Sequence, residues 1–439
     1  MGIVSIIGPK GGIGKTTLSI NTAAALTSIL GKTTPDNRVC LVDLDLRLPT
    51  ISSLLESHPA KTFYDLFETL ANKTYQVDFM RTLYRIVTAF QAHLTGQLEP
   101  GNRQLAKSFS LYNNLNTDLF NFSDFEFGNQ MHELFLSRGD VHTLEDLESL
   151  RPLLTDIDLT EFRAVLDKYD ANSKPLIKEY INYVEEFQFS IVGGEIPILG
   201  KRNHRKRINE PAFLALFLEA LDGLFDQFHY VILDTPAGGV NHLSSLMNSI
   251  DQALFVFDMS NNIAINGSID ALHSFIDYYE DFYRDFKAGK LTGLDKAFVN
   301  RLVASRGLEA VEDSLKNKKL GILFNRCQDS KAIGPCLDRI RDYLDTLDQL
   351  ETFKDRLNLV GMVPNHKIIN ITNNRGALFF DKDRSLTNRI ASVAENIIAK
   401  NVNCPTLASS NRDIISYLQK TGKPGFPNKI RKIASNFNL

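Results

Sequence analysis

The sequence predicts an α/β fold, a mostly parallel sheet flanked by helices, with a large helical insertion and a smaller second one. Three observations lead there. The apolar run Gly2 to Gly8 passes through a glycine-rich loop into a helix-like segment from about Lys15 to Leu30. A second apolar run, Arg38 to Val42, ends in Asp43-Leu44-Asp45. Further runs at Phe189–Val192, Phe228–Leu233, Ala253–Phe257, Lys319–Phe324 and Leu359–Val363 are apolar enough to be covered on both faces, as the strands of a parallel sheet are.

In chain order, the first strand opens on Gly8-Pro9-Lys10-Gly11-Gly12-Ile13-Gly14-Lys15-Thr16-Thr17. Leu18, Ala25, Leu26 and Leu30 then recur near helical spacing. A strand, a glycine-rich turn and a helix in this order make a phosphate-binding loop. Glycines let successive backbone N–H groups turn toward an anion, Lys15 reaches β- and γ-phosphate oxygens, and the Thr16 hydroxyl is placed to ligate Mg²⁺. A turn at Thr34-Pro35-Asp36-Asn37 precedes the second strand, whose Asp43 and Asp45 lie at a carboxyl end, where open α/β sheets carry functional groups.

From 59 to 187 the pattern changes to long amphipathic segments rich in Leu, Phe, Tyr and acids, read as a mostly helical insertion. The sheet resumes at Phe189. The strand Tyr230-Val-Ile-Leu runs into Asp234-Thr235-Pro236-Ala237-Gly238-Gly239, and a second helical addition is expected over 269–318. The expected core is therefore 1–58, 188–268 and 319–400, with 401–439 a C-terminal tail.

The loop has Pro9 where the ordinary phosphate-loop pattern has glycine, and it matches the deviant form KGGxGK[ST] with the additional Lys10. In this it resembles the ParA/MinD superfamily of dimerising P-loop ATPases. The resemblance extends to Val42-Asp43-Leu44-Asp45 and to Asp234-Thr235-Pro236-Ala237-Gly238-Gly239. It implies a homodimer with ATP sandwiched between subunits, in which Lys10 reaches the partner's nucleotide. It also implies Lys10, Lys15 and Asp45 as catalytic residues, Asp45 positioning the attacking water. Gly11, Gly12, Ile13, Gly14, Lys15, Thr16 and Thr17 would cradle phosphate, and Thr16, Asp43 and Asp234 would serve Mg²⁺. No Asn-Lys-x-Asp element for guanine is present, which favours ATP; Asn325-Arg326 and Pro364 are similar to the family's adenine-side positions.

Composition limits what this engine drives. A chain of 439 residues, 43% hydrophobic and 23% charged, is an ordinary globular one, and a formal net charge of −3 leaves attraction to nucleic acid or lipid to local patches. Met1 leads straight into the first strand, so no signal peptide is expected, and no apolar run nears the ~20 residues of a membrane span. Cys40, Cys327, Cys336 and Cys404 lack CxxC spacing and read as reduced cytosolic thiols.

Two basic segments are candidate outputs. Lys201 to Arg207 holds five Lys or Arg in seven residues; it either binds DNA non-specifically or is a solvated loop balancing the acidic insertion. The tail 427–439 sets Ile430, Ile433 and Phe437 beside Lys429, Arg431 and Lys432, for weak contact with an anionic membrane or for packing on protein. The expectation is a cytoplasmic ATPase, nucleoid- or membrane-associated in one of its states. It would time contact with a partner, DNA or membrane surface in positioning a cargo, with an unknown protein activator. The alternative is a nucleotide-controlled interaction scaffold with little turnover, its output through the helical insertions.

Overall fold

The computed structural model describes residues 2–8, 10–31, 39–45, 50–56, 61–97, 108–109, 112, 143–172, 177–193, 221, 223–224, 227–236, 250–292, 295–296, 299–300, 302–303, 307–345, 355–373, 378–380 and 382–421. The basic segment 201–207 and the tail 427–439 lie outside the described residues, as does Pro9.

The chain divides into two compact units, one of 1–66, 177–202 and 220–439 and the other of 67–176 and 203–219. The first is built on an eight-stranded sheet. Its strands are β1 (Gly2–Ile7), β2 (Val39–Asp43), β3 (Asn182–Val184), β4 (Phe189–Val192), β5 (Tyr230–Asp234), β6 (Gln252–Asp258), β7 (Lys319–Cys327) and β8 (Leu357–Pro364). Their order is β3-β4-β2-β5-β1-β6-β7-β8, with every pair parallel except β3 with β4. The chain runs from β1 to one side and later, through β6, to the other, so the carboxyl ends around β1 form a switch point where ligands bind in open sheets.

Among the described residues the α-helices are α1 (Lys15–Leu30), α2 (Ile51–Leu54), α3 (Phe63–Leu94), α4 (Arg151–Thr155), α5 (Leu159–Asn172), α6 (Asn262–Lys287), α7 (Leu308–Lys316), α8 (Ile333–Asp345), α9 (Lys367–Asn373), α10 (Arg384–Ile398) and α11 (Asn411–Lys420). Helix α1 has only small polar or apolar side chains and no charge after Lys15, and it is buried from Thr17 to Thr27, between the sheet and α10. Leu18, Ala23, Ala25 and Leu26 pack there with Val4, Ile6, Ile390 and Val393, each large side chain contributing roughly 1.5–3 kcal/mol by leaving water. Its buried Asn21 is satisfied at both ends of its amide, donating to the Thr17 carbonyl at 2.8 Å and accepting from the Phe380 N–H at 3.0 Å.

The other unit has its own core. Phe79, Leu83, Ile86 and Phe90 on one face of α3 meet Phe109, Leu147, Leu154 and Phe162, while Gln91 donates to the carbonyls of Leu154 and Ile157 at 2.8 and 2.9 Å.

Three local structures differ from the reading of the sequence. The stretch taken as helical to 187 ends in a hairpin: β3 turns back on β4 at Gln188, whose φ is +56°. Three residues are too few for strand alternation to register among helical-looking neighbours. The second helical stretch begins at Asn262, before the expected Ile269, because the Asn261 side chain accepts from the Ala264 N–H at 2.9 Å and caps it. Residues 401–421, expected as the start of a tail, bury Leu407, Ile414 and Leu418, and Arg341 of α8 binds the carbonyls of Leu407 and Ser409 at 2.9 and 2.8 Å. Among the described residues no helix is long and apolar enough to cross a membrane.

Candidate functional site

The carboxyl ends of β1, β2, β5, β7 and β8 surround a cavity of about 470 Å³, within the usual range for a small-molecule site. The glycine-rich loop forms its floor. Gly12 and Gly14 have φ of +76° and +91°, a region other residues enter only at a cost, and a Cβ on Gly14 would stand 2.6 Å from the Asn325 amide nitrogen.

Helix α1 starts on Gly14 with no capping side chain and no acid in its first turn. The first N–H groups of any α-helix lack an acceptor within the helix itself, and together with the helix dipole they suit an anion. Lys15 projects from the same turn, 7% exposed, its Nζ donating to the Lys10 carbonyl at 3.0 Å. Burial lowers its pKa, while Asp234 and Asp45 act in the opposite direction. An ammonium withdrawn from water beside an uncapped helix start, held by the Lys10 carbonyl, is poised to exchange that carbonyl for phosphate oxygens.

The acids divide their work. Asp234 ends β5 fully buried; its Oδ1 accepts from the Ser19 hydroxyl at 2.9 Å, and the Thr16 hydroxyl also bonds it. Burial pushes its pKa up to about 6 against those hydroxyls and Lys15. Asp43 ends β2 with its pKa pushed up to about 7, by burial first and the Asp234 charge second. Its Oδ1 accepts from the Asp45 N–H at 3.0 Å, and its Oδ2 from those of Thr50 and Ile51 at 2.9 and 3.1 Å. Asp43 thus holds the chain leaving β2 at both ends of residues 45–51, and Asp45, supported by that grip, lines the cavity.

A magnesium site fits this donor set. The Thr16 hydroxyl and the Asp234 carboxylate are hard oxygens, few in number, and Mg²⁺ retains most of its water and takes phosphate as a ligand. Among the described residues no group of three or more His, Cys, Asp or Glu gathers as a metal cage.

Of the residues singled out in the sequence, Gly11, Gly12, Gly14, Lys15, Thr16, Thr17, Asp45, Asp234, Asn325, Arg326 and Pro364 line the cavity together. Ile13 turns its side chain into the core, with its backbone remaining in the loop. Lys10 does not line the cavity; it lies along α6, with its Cε and Nζ at 3.4 and 3.7 Å from where a Cβ on Gly267 would be. The structure adds His366, Ile369 and Asn370 around the start of α9, Phe379 before α10, and Thr50. Their nearest signal in the sequence is Pro364, which marks the loop into α9 without saying which of its successors turn inward.

The profile described as "CobQ/CobB/MinD/ParA nucleotide binding domain" matches residues 4–379. The antiactivator FleN of Pseudomonas aeruginosa is 41% identical over 66 residues, which cover 15% of this chain and 21% of that protein; the match thus spans about a fifth of FleN. Among solved structures, the septum site-determining protein MinD of Pyrococcus horikoshii OT3, complexed with Mg-ADP, is 15% identical with a TM-score of 0.42, covering 90% of this chain and 95% of that one. A ParA family ATPase from Chlorobium tepidum TLS is 11% identical with a TM-score of 0.42, covering 90% and 98%.

Proposed function

This chain belongs to the CobQ/CobB/MinD/ParA family of nucleotide-binding domains, and from that membership we propose that it is an ATP-hydrolysing switch that dimerises around two nucleotides and so times contact with a partner. One observation carries the nucleotide reading: an uncapped, acid-free helix start, preceded by two left-handed glycines and bearing a buried lysine. Such a helix start is left open for phosphate.

The roles follow from position. Backbone N–H groups of Gly11 to Thr17 bind the phosphates, and Lys15 follows charge onto the transferred group. Mg²⁺, when bound, neutralises β- and γ-phosphate oxygens. Thr16 and Asp234 would hold it, with Asp43 keeping the neighbouring loop in shape. Asp45 orients the attacking water. Pro364, His366, Ile369 and Phe379 form the wall against which a base packs. Lys10, exposed beside Gly267 of α6 and not among the residues lining the cavity, is proposed to serve a second copy.

FleN is described as an antiactivator and MinD as septum site-determining, and we infer for this chain an analogous positional or regulatory task. The segments 59–187 and 269–318 are its proposed output surfaces, and 201–207 and 427–439 remain candidates for DNA and membrane. Calorimetry with ATP and Mg²⁺, phosphate release and light scattering test the proposal. Submicromolar to micromolar ATP binding, slow Mg²⁺-dependent turnover and a doubling of mass in ATP are expected. Binding and doubling without turnover would favour the scaffold reading, and capture of cell proteins on Asp45→Ala in ATP would identify the partner.

A further inference from the structure

We infer that Asn325 and Arg326 form a clasp that shapes the phosphate loop, acting as positioning residues for phosphate rather than as contacts to the base. Neighbouring residues on a strand point to opposite faces. Here both side chains reach the same loop. The Asn325 Nδ2 donates to the Ile13 carbonyl at 2.7 Å, and the Arg326 Nη2 donates to the Gly12 carbonyl.

The backbone explains how. Between the pairs Phe324–Met362 and Cys327–Pro364, β7 advances one residue further than β8, which is a bulge. Arg326 sits in it with φ of +55°, a left-handed conformation that a non-glycine residue occupies at a cost. That local twist brings the guanidinium round to the side Asn325 already faces. Its Nη1 stands 3.4 Å from the Asp258 carboxylate, whose other oxygen accepts from the Ser260 N–H at 3.0 Å. Arg326 therefore ties the loop to the end of β6 as well as to β7.

The two bonded carbonyls are consecutive. In a trans peptide the C=O and the following N–H point in opposite directions. Fixing the carbonyls of Gly12 and Ile13 thus fixes the N–H groups of Ile13 and Gly14. The glycine at 14 belongs to the same device, because a Cβ there would strike the Asn325 amide. Prealigned donors bind an anion without first being ordered, which is where such a clasp adds affinity.

This inference rests on the nucleotide reading for its purpose but not for its geometry, and the experiment separates the two. Wild type, Asn325→Ala, Arg326→Lys and Arg326→Gly are titrated with ATP, GTP and inorganic tripolyphosphate, and amide exchange of residues 10–17 is followed without ligand. Asn325→Ala and Arg326→Gly should each weaken ATP and tripolyphosphate alike, by about tenfold, with the ATP-to-GTP ratio constant within about twofold. Loop exchange should speed up in both. Arg326→Gly should also unfold no more easily than wild type, since glycine accepts the left-handed backbone freely; this separates loss of the clasp from loss of the fold. Arg326→Lys should retain part of the effect. Unchanged tripolyphosphate affinity and loop exchange, with loss of preference for ATP over GTP, would overturn the clasp in favour of base contacts. If wild type bound neither ATP nor tripolyphosphate, the nucleotide reading would fall, and the exchange rates alone would decide the clasp.

Discussion

Asp43 and Asp234 are register partners on the adjacent strands β2 and β5, two buried carboxylates at the same level of the sheet. Their proximity contributes to holding Asp43 above the ordinary carboxylate range. Similar positions give them different work, because Asp43 spends both oxygens on backbone N–H groups and Asp234 meets two hydroxyls. Asp43→Ala should therefore lower stability by about 1–3 kcal/mol in chemical denaturation, leaving three N–H groups without their acceptor. Asp234→Asn should unfold near the wild-type midpoint yet lose Mg²⁺-dependent turnover by on the order of a hundredfold. Equal stability losses in the two variants would contradict this division.

Lys10 gives a test of the proposed dimer. Its side chain lies beside Gly267 of α6, outside the cavity. Lys10→Ala should abolish the ATP-dependent doubling of mass and stimulated hydrolysis, with monomer affinity for ATP changed by less than about threefold. A variant that still doubles in ATP and turns over normally would remove the cross-subunit role.

Much of this was legible from residue order alone. Lys15 and Thr16, which line the cavity, stand out by their spacing within ten residues, and strands such as Val39–Asp43 and Gln252–Asp258 by apolar runs buried on both faces. What was not legible depends on non-local geometry. That Asn325 and Arg326 share a target follows from a bulge defined only against β8. That Asp43 grips Thr50 and Ile51 depends on the path of the intervening chain, and His366 and Phe379 enter the cavity through the packing of α9 and α10.

Lys318 couples the sheet to pH. Its buried Nζ donates to the Ile250 carbonyl at 2.7 Å and sits over the Tyr279 ring, and burial, opposed by the Asp251 charge and aided by that of Arg356, lowers its pKa from 10.5 to about 7. A depressed lysine binds its proton more weakly folded than unfolded. Its destabilising effect is full below pH 7 and relieved as pH rises toward 10.5. The stability of wild type relative to Lys318→Met should consequently improve between about pH 7 and 9.5, by up to ~3 kcal/mol. A flat difference would show that the ammonium stays charged.

Arg341 fastens the last described helix. Beyond the carbonyls of Leu407 and Ser409, its guanidinium reaches the Asn411 side chain at 2.6 Å. Arg341→Met should cost about 2–3 kcal/mol and expose Arg412 and Lys420 to trypsin under native conditions, read by digestion and mass spectrometry. Cleavage no faster than in wild type would mean that Leu407, Ile414 and Leu418 hold the segment unaided.

Helix α1 is enclosed by the sheet and α10 along most of its length and tied to Phe380 through Asn21. Its interior amides, from Ser19 to Leu26, should exchange with solvent only when the entire unit unfolds, which makes that part of α1 a fixed anvil. Under the proposed function, any response to nucleotide is then left to the residues of the cavity rim, Asp45 and Thr50 on one side and Pro364, His366 and Asn370 on the other. The fixed mount and the parts proposed to respond to nucleotide are, in that sense, different pieces of chain.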